Sequence, residues 1–376
     1  MDFKLYFRSR QGEMVQLLKE LVSRESPTQD KKAVDACSSF LVSEFKKIGC
    51  RITRLPQMDV GDFYLIQFPA KTKSKQDLPL LILTHIDTVW PVGQLNKMPF
   101  YFSGDKIYGP GTLDMKAGLV MAFSAIKALA DLNLKPSLPV SLFINSAEET
   151  GHKEAHEVIL RLAKQAAYVL CLEPALPGGG LKTQRKGRVV VRLEVKGKAA
   201  HAGTPEKGVN AIGELLAQLR KIKQLEKGGV TANIGLIGGG EKANIVAEKA
   251  WAVVDFRFWT NSQKNKILDF FRHREPFLAG AKIKYFQESY TPPLEKTKAS
   301  SQFFQRVKVI AQGLGLELTE GKTGGGSDAS IASMTGVPTL DGLGPDGDGI
   351  HAQHEHLLLP SLIERTALLT EILRQL

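Results

Sequence analysis

The sequence predicts an α/β protein, a mixed but mostly parallel sheet sandwiched by helices, with a smaller α+β domain inserted into it. Three observations carry that prediction. The short apolar runs LPLLIL (78–83), PVSLFI (139–144), AYVLCL (167–172) and VPTL (337–340) alternate with helical patterns, as strands buried on both faces do. Residues 183–293 then switch to period-two alternation and follow the order βαββαβ of a ferredoxin-like unit. At 376 residues, 43% of them hydrophobic, the chain exceeds one average domain and can fill two cores.

Taken in order, helices are expected over 11–24 and 31–48. There Met14, Leu17, Leu18 and Leu21, then Val34, Cys37, Leu41 and Phe45, recur at helical spacing. After the strand 78–83 comes a glycine-punctuated turn, GPGTLDMKAG, which opens a helix over 117–132. Strands 139–144 and 167–172 complete the first part. The insertion begins with RVVVRLEVKG (188–197) and a helix carrying Ile212, Leu215, Leu216, Leu219 and Ile222. It continues with strands TANIGLI (231–237) and AWAVVDFRF (250–258), a helix near 262–273 and a strand KIKYFQES (282–289). A helix, the strand 337–340 and a closing helix over 358–375 then resume the larger domain. The expected division is thus 1–182 and 294–376 for the larger domain, with 183–293 inserted. The GGG triplets at 178–180 and 238–240 punctuate loops.

Composition narrows the function classes. A net charge of +11 invites a nucleic-acid reading, but the 50 Lys and Arg are scattered among 39 Asp and Glu, and no recognition motif accompanies them. A solvated surface favouring anionic small molecules is preferred. Cys37, Cys50 and Cys171 lack paired spacing, which fits buried thiols in a reducing compartment. The N-terminal stretch has no apolar core with a cleavage site, and no segment approaches eighteen apolar residues. A soluble, cytoplasmic protein with no membrane partner is expected.

In open α/β sheets ligands bind beyond the carboxyl ends of the strands. His85 and Asp87 follow the first apolar run, Glu148 and Glu149 follow the second in NSAEETG, and Glu173 follows the third in EPA. His351 lies beyond VPTL in DGLGPDGDGIHAQHEHL, and Asp114 sits in GPGTLDMKAG. So many carboxylates at one sheet edge would drive one another's pKa upward unless cations neutralise them. Imidazole and carboxylate ligands without a thiolate make zinc the first choice, with cobalt or manganese as alternatives. Five ligands exceed what one catalytic ion with an open position needs, but they suit two ions sharing a carboxylate.

The motifs HIDTV, GPGTLDMKAG, NSAEETG, LEPA, KGKAAHAG, GGGSDAS and GIHAQHE, in this order, resemble the signatures of the di-zinc aminoacylase and carboxypeptidase family of metallopeptidases. That family includes glutamate carboxypeptidase, acetylornithine deacetylase, succinyl-diaminopimelate desuccinylase and the bacterial tripeptidases. The resemblance spans roughly residues 80 to 370. It implies a catalytic domain with an inserted lid and dimerisation domain, two zinc ions per subunit and a homodimer. It makes Asp114 the bridging carboxylate, with His85 and Glu173 completing one site and Glu149 and His351 the other. His351 stands four residues before Glu355, as the family pattern requires; His354 and His356 do not. Asp87 matches the residue that holds the first histidine ligand, since residues i and i+2 of a strand project to one face. Glu148 matches the general base of an amide hydrolysis carried out by a hydroxide shared between the metals, and His201 the oxyanion donor supplied by the other subunit. The family often has a cis peptide after the bridging aspartate, here Asp114–Met115.

The substrate implied is a small peptide or N-acyl amino acid with a free carboxylate, losing its terminal residue. Asn244, Arg257, Gly325, Gly326 and Ser327 match the positions that recognise that carboxylate. Glutamate carboxypeptidases have an arginine-proline segment just before the chain returns to the catalytic domain. SYTPPLEKT (289–297) has no arginine there, so a strict preference for C-terminal glutamate does not follow. An acetylornithine-type deacylase and a non-catalytic metal-binding homologue remain alternatives. A phosphate-binding loop does not, because GPGTLDMKAG lacks the Lys-Ser/Thr ending.

Overall fold

Every side chain of the strands Leu80–His85 and Val140–Asn145 is buried in the computed structural model, which describes residues 1–70 and 78–376. They lie at the centre of a six-stranded sheet in the order Arg51–Leu55, Phe63–Phe68, Val140–Asn145, Leu80–His85, Tyr168–Cys171, Thr339–Leu340. The last four run parallel, and the first two form an antiparallel flank. His85 pairs with Asn145 and Leu83 with Cys171, so the chain leaves the three central strands at one edge of the sheet.

The helices follow from local sequence. Asp30 caps the helix Lys31–Lys47 by accepting from the Ala33 N–H at 3.1 Å, and Val34, Cys37, Leu41 and Phe45 turn inward. The helix Ala117–Asp131 is apolar almost all round and correspondingly buried. At its start Gly118 permits close approach: a Cβ there would lie 2.6 Å from the Leu172 carbonyl oxygen. Phe63 and Phe143 meet edge-on at 5.8 Å inside the sheet's other face, each fully buried and worth roughly 1.5–3 kcal/mol of transfer free energy.

Several elements were not expected. These are the helix Phe3–Arg8, the antiparallel flank, and a small four-stranded sheet of Tyr101–Ser103, Lys106–Tyr108, Gly347–Asp348 and His356–Leu358. Apart from Phe63–Phe68, which opens on the apolar run FYLI and has no exposed residue, their strands are short or partly exposed and carry no continuous apolar run. Pairing, with a hairpin neighbour or with a more distant segment, makes them strands.

The chain divides into two units. One comprises Met1–Thr183, Lys296–Lys322 and Ser327–Leu376, the other Gln184–Glu295 with Thr323–Gly326. The second has an antiparallel sheet in the order Thr231–Gly239, Lys249–Phe258, Gly187–Lys196, Lys282–Thr291, the ferredoxin-like arrangement. Its helices are Ala211–Ile222 and Asn261–Arg272. Leu215, Leu219 and Ile222 face its core, whereas Ile212 and Leu216, expected on the same stripe, are exposed. No helix among the described residues is long and apolar enough to cross a membrane.

Burial pushes the Cys50 thiol from its ordinary 9.0 up to about 11. Unfolding restores ordinary acidity, so the unfolded chain holds fewer protons between those values and stability falls as pH rises through them. Cys50 is therefore expected to resist alkylation by iodoacetamide at pH 8 in the native protein and to react on denaturation, read by mass spectrometry.

Candidate metal centre

At the carboxyl edge of the large sheet the chain sets two histidines among seven acids. His85 closes its strand and is 1% exposed. Its Nδ1 lies 3.0 Å from the Asp87 main-chain oxygen and 3.4 Å from Asp87 Oδ1. A proton on Nδ1, held by that carbonyl, leaves the lone pair on Nε2. Nε2 faces Asp114 Oδ1 at 3.2 Å and Glu173 Oε1 at 3.6 Å. The other oxygen of Asp114 lies 3.4 Å from His351 Nε2, which stands 3.2 Å from Glu149 Oε1. One carboxylate thus lies between two imidazoles, each accompanied by a further acid.

The backbone here is unusual. Asp114 and Met115 leave helical angles in the segment Thr112–Lys116, and the peptide between them is cis. His351 adopts a left-handed conformation, φ 59°, which costs a non-glycine residue on the order of 1 kcal/mol and is met at functional sites.

Asp87 is fully buried, and its carboxylate does more than face His85. It accepts from the Thr28 hydroxyl at 2.7 Å and from the main-chain N–H groups of Glu148 and Glu149, each at 3.2 Å. It therefore ties the loop after His85 to the turn that presents both glutamates. Asp87→Ala is expected to weaken metal binding about 10–100-fold while near-native circular dichroism is kept, since partners that orient ligands typically carry that much affinity. Equilibrium dialysis with metal analysis checks it.

Electrostatics report the same crowding. Burial presses His85 toward its neutral form, but Asp114, Asp87 and Glu173 outweigh it and hold the imidazole well above its ordinary value. Hydrogen bonds to Asp114 and Glu149 raise His351 to about 10. Burial works against the charge on Asp114, yet the two histidines keep it below the usual carboxylate range. Burial, then repulsion from Glu173, lifts Glu148 well above ordinary, and burial lifts Glu149. Anions forced upward beside imidazoles forced to charge are the mark of a donor set suited to cations. Two groups, His85 with Glu148 and Glu173, and His85 with Asp114 and Glu149, bring one donor atom per residue within 4.8 Å of one another and could each hold a metal ion.

Three residues that sequence reading did not single out belong here. Thr28 binds Asp87 as described. Asp328, buried, accepts from Asn145 Nδ2 at 2.8 Å, and burial pushes it up to about 7. Glu355, named only as a marker for His351, accepts from the N–H groups of Gly111, Leu113 and Asp114 and from Trp90 Nε1. A carboxylate beside the other motifs was the available signal for Asp328 in GGGSDAS.

The expected substrate residues are distributed differently. In the first unit Ser327 is buried, and its hydroxyl donates to Asp341 Oδ2 at 2.6 Å. In the second unit His201 and Asn244 come together through a bridge between His201 and Ile245 and the Ala202 N–H to Asn244 carbonyl bond at 3.0 Å. Both are exposed. His201 Nδ1 accepts from the Gly203 N–H at 3.0 Å. Arg257 pairs with Asp255 at 2.8 Å, an acid that also holds Arg188 at 2.6 Å. The carbonyls of Gly325 and Gly326 accept from Arg185 Nη1 at 3.2 and 2.9 Å.

Known proteins resemble the chain in sequence and in fold. The profile of peptidase family M20/M25/M40 matches residues 81–375. Carboxypeptidase G2 of Pseudomonas sp. (strain RS-16) is 30% identical over 365 residues, covering 94% of this chain and 87% of that protein. Aminopeptidase PepT of Bacillus cereus superimposes with a TM-score of 0.78 at 24% identity, covering 96% of this chain and 98% of its own. The metallo-carboxypeptidase Sso-CP2 of Sulfolobus solfataricus does so at 0.68 and 18% identity, covering 96% and 98%. The structural likenesses speak for the fold, and the sequence matches for ancestry. With nearly its whole length matched in sequence and in fold, the chain belongs to peptidase family M20/M25/M40, hydrolases of peptide and related amide bonds.

Proposed function

We propose that the chain is a two-zinc exopeptidase of the carboxypeptidase kind, removing the C-terminal residue of a small peptide or N-acyl amino acid. The observation that carries this reading is the Asp114 carboxylate set between His85 and His351 at 3.2 and 3.4 Å. The similarity to carboxypeptidase G2 supports the substrate class. His85 and Glu173 would hold one ion, Glu149 and His351 the other, with Asp114 common to both. Such a pair supplies Lewis acidity, polarising the scissile carbonyl and making water more acidic.

The remaining chemistry falls to side chains. Glu148, whose carboxylate belongs to the His85–Glu173 group and whose N–H is held by Asp87, takes the proton of the attacking water and returns it to the departing amine. His201 stabilises the oxyanion. Its Nδ1 accepts a main-chain N–H, so the neutral ring carries its proton on Nε2 as a donor must. We assign this histidine to the active site of the other subunit in a homodimer formed through the inserted domain. The exposed Ile212, Leu216, Leu236 and Ile237 of that domain, and the free edge of Thr231–Gly239, support such an interface. Asn244, Arg257, Gly325, Gly326 and Ser327 are the positions assigned to the substrate carboxylate, with Arg257 sharing its pairing to Asp255 and Ser327 acting through its main-chain N–H, because its hydroxyl donates to Asp341. Three buried cysteine thiols suit the cytoplasm.

The test is a panel of dipeptides and N-acyl amino acids varied at the C-terminal residue, assayed with zinc-, cobalt- and manganese-reconstituted protein and a chelator control. Cleavage across the peptide panel that the chelator abolishes is expected. Activity confined to acetylated small metabolites would favour the deacylase alternative, and two bound ions without turnover would sink the catalytic reading.

A further inference from the structure

Glu355 is 1% exposed and accepts four hydrogen bonds. Its Oε1 takes the main-chain N–H groups of Leu113 at 2.9 Å and Asp114 at 3.1 Å. Its Oε2 takes the Gly111 N–H at 2.9 Å and Trp90 Nε1 at 3.0 Å. The loop so gripped is irregular: Gly111 is left-handed at φ 69°, and Asp114 and Met115 leave helical angles. Buried N–H groups in such a loop need an acceptor from elsewhere in the chain. Glu355 supplies it from more than 240 residues away, on the same short segment as His351.

We propose that Glu355 is a positioning residue for the metal pair. It fixes the Asp114 carboxylate by pinning the loop 111–114, and holds that carboxylate and the His351 ring in one frame. The proposal rests on the metal-pair reading above. A loop released from Glu355 lets Asp114 rotate away from one or both imidazoles, so both ions loosen together.

The experiment measures zinc affinity by chelator competition, with circular dichroism in parallel, on the wild type, Glu355→Ala, Glu355→Gln and Phe304→Leu. Glu355→Ala is expected to bind zinc about 10–100-fold more weakly, the usual effect of losing a group that orients ligands, while remaining folded. Glu355→Gln keeps an acceptor for Leu113 and Asp114 but turns an amide donor toward Gly111 and Trp90, so its affinity should fall between. Phe304, buried in the helix Lys298–Gly313, controls for simple loss of stability, and its variant should bind zinc like the wild type. Wild-type zinc affinity in both Glu355 variants overturns the proposal, as does an equal loss in Phe304→Leu. Should the alanine variant not fold, the glutamine variant decides alone by the same comparison. Fewer than two zinc ions on the wild type overturns the metal-pair reading itself, and the clamp with it.

Discussion

Glu148→Gln is expected to lower kcat by about 10²–10⁴ while the protein still binds two metal ions, because a positioned general base contributes that much and the amide is isosteric but cannot take a proton. The substitution leaves the Glu148 N–H on Asp87 Oδ1, so the turn that presents Glu149 should stay in place. The pH profile gives an independent check. A base works deprotonated, so wild-type kcat/KM should fall as pH drops through the pKa of Glu148. Burial and Glu173 raise that pKa, and cations lower it again. The residual activity of the glutamine variant should lack this acidic limb. If the variant holds two ions and keeps most of its activity, Glu148 is not the base.

His201→Ala should cost about 10²–10³ in kcat, the typical loss of one oxyanion donor, with little change in metal content. Mixing gives the sharper result. When Glu148→Gln and His201→Ala subunits exchange, only a heterodimer can join an intact Glu148 to an intact histidine from the partner. Random pairing should then restore about a quarter of the wild-type sites. Exchange confirmed by mass spectrometry without recovered activity would show that each histidine serves its own subunit or none.

The strands at the sheet centre could be read because each is short, apolar throughout and bounded by turn signals, and the side chains just past their ends were visible in the same reading. His85, Glu148, Glu149 and Glu173 needed no knowledge of distant pairing, since burial on both faces writes itself into local composition. The strand Arg51–Leu55 escaped because a partly exposed strand of mixed residues looks like loop until its partner is known, whereas Phe63–Phe68 carries a readable apolar run, FYLI, that the expected order of elements did not include.

What the sequence determined by itself was the kind of fold and which imidazoles and carboxylates stand just past the strand ends, because both depend on residue type and short spacing. What only the tertiary structure decided was how those residues are held. Asp87 meets the Thr28 hydroxyl and two N–H groups some sixty residues on. Asp328 meets Asn145 across 183 residues, and Glu355 meets the Asp114 loop across 241. A hydrogen bond depends on where two atoms end in space, and no local pattern records an acceptor whose donors lie hundreds of residues away.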